Sequence, residues 1–184
     1  MTLDPATIHI MKNTNGFSMI ELLMVLVVAG ILLGIAIPSF TEIIKNNRLT
    51  SQTNDLLTSF TLARAEAISR RTTVTVCTPQ SGANSCEGNT GWEDGWVVFV
   101  DEDEDGNWAN DELIQQSAAV EGDNTVTAGR NLVRFSSNGM ASGFNGTWLI
   151  CDDRGIGNAH ALILSNTGRA RVAQDSEIAG LSCP

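Results

Sequence analysis

Tyrosine is absent from this 184-residue chain, histidine occurs twice, and eleven lysines and arginines face twenty-one acids. Each shortage removes a class of function. A formal net charge of −10 repels polyanions on average, so nucleic-acid binding needs a local exception. With His9 lying early and His160 standing without a nucleophile or acid in a recognised motif, histidine-based catalysis has little to work with. The four cysteines, Cys77, Cys86, Cys151 and Cys183, contain no C-x-x-C pair, which argues against a zinc site. No G-x-S-x-G, Walker loop, H-E-x-x-H or dinucleotide fingerprint is present, so an enzyme is not expected.

Charge is missing altogether from residues 22–40, and that absence organises the chain. A spanning helix needs roughly 20 mostly apolar residues, so this stretch is long enough to cross a bilayer. It is too long for an ordinary secretory signal, and no A-x-A-like site follows it. A single-pass anchor is therefore expected, with Lys12 on the cytoplasmic side and the rest of the chain outside. One ionisable group, Glu21, stands near its start. A carboxylate at membrane depth costs roughly 2.5–3.5 kcal/mol on insertion scales, which marks it as functional. Gly30 and Gly34 form a small-xxx-small pair that permits close helix approach.

Beyond the span, Phe40, Ile43, Ile44, Leu56, Leu57, Phe60, Ala63, Ala67 and Ile68 recur at helical spacing. Lys45, Arg48, Gln52, Asp55, Arg64 and Glu66 lie between them, predicting an amphipathic helix laid on a sheet. Pro38 should kink this helix without ending it, and Arg70 and Arg71 suit its C-terminus. About seven short strands follow, at 72–78, 95–100, 112–117, 131–136, 147–151, 161–165 and 169–173. Turns are marked at Asn138-Gly139 and Asn145-Gly146, and Asn166-Thr167-Gly168 joins the last two strands as a hairpin. The fold class is α+β. Four segments follow: a polar leader 1–16, in which Met11 is a candidate start; a spanning half 17–40; an amphipathic half 41–71; and a β-rich head 72–184.

Four cysteines beyond a membrane anchor suggest two disulfides and an oxidising compartment. A Cys77–Cys86 bridge would staple the loop after the first strand, although sequence alone does not fix connectivity. Trp96 and Trp148 fall in strands and read as packing residues, whereas Trp92 and Trp108 flank loops and are expected to be partly exposed. The run Asp101-Glu102-Asp103-Glu104-Asp105-Gly106, with Asn107 and Glu112, matches D-x-D-x-D-G-x5-E. That spacing places oxygen ligands for Ca²⁺ on one loop, here between strands instead of EF-hand helices. A solvated acidic hairpin is the plainer alternative.

Gly16-Phe17-Ser18-Met19-Ile20-Glu21 ahead of an apolar helix resembles the processing site of type IV prepilins and type II secretion pseudopilins. The resemblance implies cleavage by prepilin peptidase after Gly16, methylation of Phe17, and helix packing with other minor and major pilins. It also supplies Glu21 with a partner, the free amine of Phe17 on an adjacent subunit. The later segments G-W-V-V-F-V-D, R-F-S-S-N-G, T-W-L-I-C and S-N-T-G-R-A-R are similar to the GspH/FimT (FimU-like) group of minor pilins and pseudopilins. This implies a type IV pilin-like fold and a Cys151–Cys183 bridge closing the last loop. It also implies a bacterial inner-membrane protein with a periplasmic head, bound for an extracellular pilus or a periplasmic pseudopilus. Three functions are compatible with it: a minor pilin that primes or caps the filament, a DNA-uptake pilin, and a pseudopilin of a type II secretion system. Gly168-Arg169-Ala170-Arg171 is similar to the DNA-contacting motif of FimT-like competence pilins. Arg169 and Arg171, with Arg154 nearby, would contact double-stranded DNA through its phosphates in a salt-sensitive way.

Overall fold

The computed structural model describes residues 16–86 and 91–184. The leader before Gly16, with His9, Met11 and Lys12, lies outside the described residues, as does the end of the loop after Cys86. The chain divides into two compact units, residues 1–42 and 43–184.

Helix α1, Met19–Arg70, contributes to both units. It starts where the carbonyl of Ser18 accepts from the N–H groups of Glu21 and Leu22. It continues through position 38, as expected of a proline flanked by resumed helical periodicity. Its end is sharp. Arg71 turns into the left-handed region (φ 58°), and the N–H of Thr72 reaches back to the carbonyl of Ala67. That is the bonding of a Schellman stop, with an arginine where glycine is usual.

In the second unit, α1 is followed by eight strands in two antiparallel four-stranded sheets. The first contains β1 (Val74–Cys77), β2 (Trp96–Val100), β3 (Leu113–Ser117) and β5 (Leu132–Phe135), in the order β3-β2-β1-β5. The second contains β4 (Thr125–Ala128), β6 (Gly146–Cys151), β7 (His160–Leu164) and β8 (Ala170–Val172), in the order β4-β6-β7-β8. The α+β expectation holds, with one strand more than expected. Strand β4 escapes a pattern search because Thr-Val-Thr-Ala carries one buried apolar side chain, Val126. Pairing with β6, from Thr125 opposite Cys151 to Ala128 opposite Trp148, makes it a strand. A single turn, α2 (Asp175–Ile178), follows β8.

The core joins one face of α1 to both sheets. Leu49, Leu56, Phe60, Ala63 and Ala67 are buried with Val74, Val76, Val98, Val133, Phe135, Ile150, Leu162 and Leu164. Phe60 is the centre of an aromatic cluster. Its ring meets Trp148 at 4.8 Å and Trp92 at 6.0 Å, edge to face, and the two indoles meet at 5.6 Å. These are favoured aromatic geometries. Trp92 is therefore fully buried and not a partly exposed loop residue, and Trp108 packs on Phe99 at 5.0 Å under the loop. Gln52, expected on the wet face, is buried as well. Its amide donates to the carbonyl of Glu121 and accepts from Asn124, so polar burial there is matched by hydrogen bonds. Ile68, expected on the packed face, is half exposed. Two disulfides close the unit: Cys77–Cys86 at the end of β1 (S–S 2.06 Å) and Cys151–Cys183 at the end of β6 (2.01 Å).

Candidate functional sites

The first unit holds the segment Gly16–Glu21, where processing is expected. Phe17 and Glu21 are exposed, and so are nearly all the large side chains of residues 19–40, including Leu26, Val27, Ile31 and Ile35. Gly30 and Gly34 face open space, with no atom within 4 Å of an added methyl group. By length and composition this is a helix that can cross a membrane. The surface is apolar, narrow and uncharged below Glu21, suited to lipid or to other helices and unsuited to water.

In the second unit the acidic loop follows β2. Its carboxylates at Asp101, Asp103 and Asp105 come within 4.8 Å of one another, but they differ in state. Asp101 is buried and accepts three hydrogen bonds, from the hydroxyl of Thr75 (2.6 Å), Nε of Arg134 (3.1 Å) and the N–H of Gly106 (3.2 Å). Arg134 also donates to the carbonyl of Glu104. An internal cation thus already neutralises the buried acid. Asp105 is exposed, and hydrogen bonds from the side chain and then the backbone N–H of Asn107 hold its carboxyl below the ordinary range. Glu112, the expected twelfth ligand, is turned to accept from the N–H of Ala109 (2.7 Å) and is not in the cluster. Three of the four expected carboxylates are therefore brought together. Arg134, which holds the loop, has no signature in the D-x-D-x-D-G pattern.

The arginine hairpin is built by β7 and β8. Leu162 and Leu164 stand opposite Val172 and Ala170, which puts Arg169 and Arg171 on the other face of the strand. The turn leaves no room at Gly168. Its φ is +73°, and a methyl group there would lie 2.0 Å from the carbonyl oxygen of Gly139. The glycine of Gly-Arg-Ala-Arg is thus required by the packing of two turns. Arg169 is exposed and has no side-chain partner among the described residues. Arg171 is engaged. Both its terminal nitrogens donate to Glu177, at 2.8 and 2.6 Å. That bidentate bond, reinforced by the N–H of Gln174, holds the Glu177 carboxyl down at about 2. Arg154 does not join the hairpin patch. It is largely buried, and Nε and Nη2 donate to Asp152 at 2.9 and 2.6 Å while Nη1 reaches Asn46. Burial pushes the Asp152 carboxyl up, but the Arg154 hydrogen bonds outweigh it and hold the group below its ordinary value. The three arginines therefore reduce to one free guanidinium. The partner of Arg171 sits six residues on, in α2, and only the short Asp-Ser-Glu turn hints at it.

His160 lies at the start of β7, with Nδ1 3.4 Å from the hydroxyl of Thr53, a packing contact between α1 and the sheet.

Comparison with known proteins agrees with this architecture. The family described as type II transport protein GspH matches residues 52–168, and the prokaryotic N-terminal methylation motif matches residues 11–37. A comparison with curated proteins found no match. Two crystal structures of the type IV minor pilin FimU from Pseudomonas aeruginosa share the fold. One aligns with a TM-score of 0.55 at 19% identity, over 72% of this chain and 92% of FimU. The other aligns at 0.52 and 18%, over 69% and 94%. A long helix on antiparallel sheets, a methylation motif at its head and a family match over most of the globular unit lead to one conclusion: the chain belongs to the GspH family of minor pilins and pseudopilins.

Proposed function

We propose that this protein is a minor type IV pilin, a non-catalytic subunit that primes or caps a filament. The observation that carries the proposal is the exposed, uncharged helix surface of residues 22–40 beneath a single exposed acid, Glu21. Processing after Gly16 would free an amine on Phe17. In a filament core of low dielectric, that ammonium and the Glu21 carboxylate of a neighbour attract strongly, and each removes the cost of burying the other. Before assembly, the same apolar surface keeps the subunit in the inner membrane with the head in the periplasm. Cross-linking and filament isolation test this with Glu21→Val. The variant should be made, inserted and processed, yet missing from filaments. Normal incorporation would overturn the charge-pair mechanism.

A pseudopilin of a type II secretion system would use the same assembly physics, and the description of the matched family favours it. Deletion separates these readings: loss of piliation and twitching supports the pilus, and loss of secreted proteins supports the pseudopilus. DNA uptake draws its support from exposed Arg169 alone, because Arg171 and Arg154 are already neutralised. Loss of transformation in Arg169→Gln with normal pili would favour it. Calcium has no part in the proposed mechanism. A rise in head-domain melting temperature with calcium against chelator would give it one, since a ligand bound only by the folded state raises stability.

A further inference from the structure

Arg64 is the one cation with a buried nitrogen that has no hydrogen-bond partner among the described residues. It sits on the last turns of α1, half-buried, with Nε sealed from solvent and no hydrogen-bond partner. No carboxylate faces it among the described residues, whereas Arg70, Arg134, Arg154, Arg171 and Lys45 each have one. A guanidinium without a partner in a chain of net charge −10 is an open valence. Its surroundings are specific. A methyl group on Gly139 would lie 3.2 Å from Arg64 Nε, and one on Gly168 would lie 3.5 Å away. Arg64 therefore lies over the junction of the two turns, and Arg169, another cation without a side-chain partner among the described residues, follows Gly168 in the chain. The same junction touches Ile68, whose Cδ1 would be 2.6 Å from a methyl group on Gly139, and Met140 is the next residue. Ile68 and Met140 are 48% and 38% exposed.

We propose that Arg64, Arg169, Ile68 and Met140 form a docking surface for an acidic segment of a neighbouring protein subunit. This rests on the filament reading above and deepens it by naming the surface and the chemistry of what covers it. Apolar side chains with arginine and methionine at the centre, and no lysine, are the composition of protein–protein interface cores. A phosphate backbone would instead need an open cationic track, and two arginines with apolar flanks do not supply one. A carboxylate from the neighbour meets the terminal nitrogens of Arg64, which unlike Nε are not sealed, while its apolar residues cover Ile68 and Met140.

The test uses the full-length protein in cells. A photo-crosslinking amino acid, p-benzoylphenylalanine, replaces Met140, and adducts in isolated filaments are mapped by mass spectrometry. The expected adduct is with another pilin, through a peptide containing Asp or Glu. Arg64→Gln with Arg169→Gln should lower its yield roughly tenfold, less than the loss of a fully buried charge partner because Arg169 is exposed and Arg64 half-buried. Arg169→Gln alone, at an exposed position, should lower the yield without moving the melting temperature. That separates docking from folding. An adduct with DNA or lipid, an adduct with a peptide lacking acids, no adduct in filaments that contain the protein, or an unchanged yield in both variants would overturn the inference. Absence of the unsubstituted protein from filaments would instead overturn the filament reading itself.

Discussion

The two units of this chain obey opposite rules of burial. In residues 43–184 apolar side chains are inside, buried polar groups such as Gln52, Ser59 and Asp101 have hydrogen-bond partners, and two disulfides close the periphery. In residues 16–42 nearly every large apolar side chain is exposed and no core exists within the unit. The first unit cannot be explained from its own contacts. A water-exposed face of this size is unfavourable by roughly 25 cal/mol for each Å² of apolar surface, so its stability must come from lipid or from other chains. One unit is a finished object and the other is half of an interface.

Four experiments break or sharpen that contrast. The largest effect should fall on the finished unit. Phe60→Ala removes the ring around which Trp92 and Trp148 pack, and should cost about 3–5 kcal/mol of head stability by denaturant melting. Membrane insertion should be unaffected. Next come the bridges, which close 32 and 9 residues of chain. Loop-closure entropy predicts losses of about 4 kcal/mol for the Cys151–Cys183 pair and about 3 kcal/mol for Cys77–Cys86 on replacement by serine. Reversal of that order would show that strain or residual structure outweighs chain entropy. For the unfinished unit, Val27→Arg should raise the cost of insertion by about 2.5–3.5 kcal/mol and leave the head's melting curve unchanged. Coupled loss of both would mean that the units do not fold independently.

The smallest effect concerns acid. The Glu177 carboxyl is held at about 2, below its usual 4.5, so its bonds to Arg171 and Gln174 are fully present above pH 4.5. They are lost as pH falls towards 2. Because the pair is exposed, Glu177→Gln should give only a slight destabilisation at neutral pH and a flatter stability profile between pH 4.5 and 2.

How much of this was legible follows the same division. The apolar helix of residues 19–40 and the methylation motif are legible because their properties are local: charge is absent, length is countable, and Gly16, Phe17 and Glu21 fall within six residues. Helix α1 and seven strands were legible through periodicity. What sequence could not show was pairing at a distance. Strand β4 exists because β6 offers it an edge. Gln52 looks wet until Glu121 and Asn124, some seventy residues on, are brought beside it. Arg154 and Arg171 looked like free cations because the acids that neutralise them are recognisable only once turns and α2 are formed. Glu112 fitted a twelve-residue spacing, but the turn at Ala109 bends its carboxylate inward on its own backbone.

The positions of the two bridges along the chain have a consequence for the order of events during export. Cys77 and Cys86 emerge close together and can join before Cys151 appears. Cys151 must then wait for 32 further residues before its own partner arrives. If the head is threaded across a membrane from its N-terminal side, as the proposed function requires, an oxidant meets one pair at a time. Timing of that kind would keep the two pairs apart. Slowing the first oxidation step, and not the second, is what would expose this protein to mispairing.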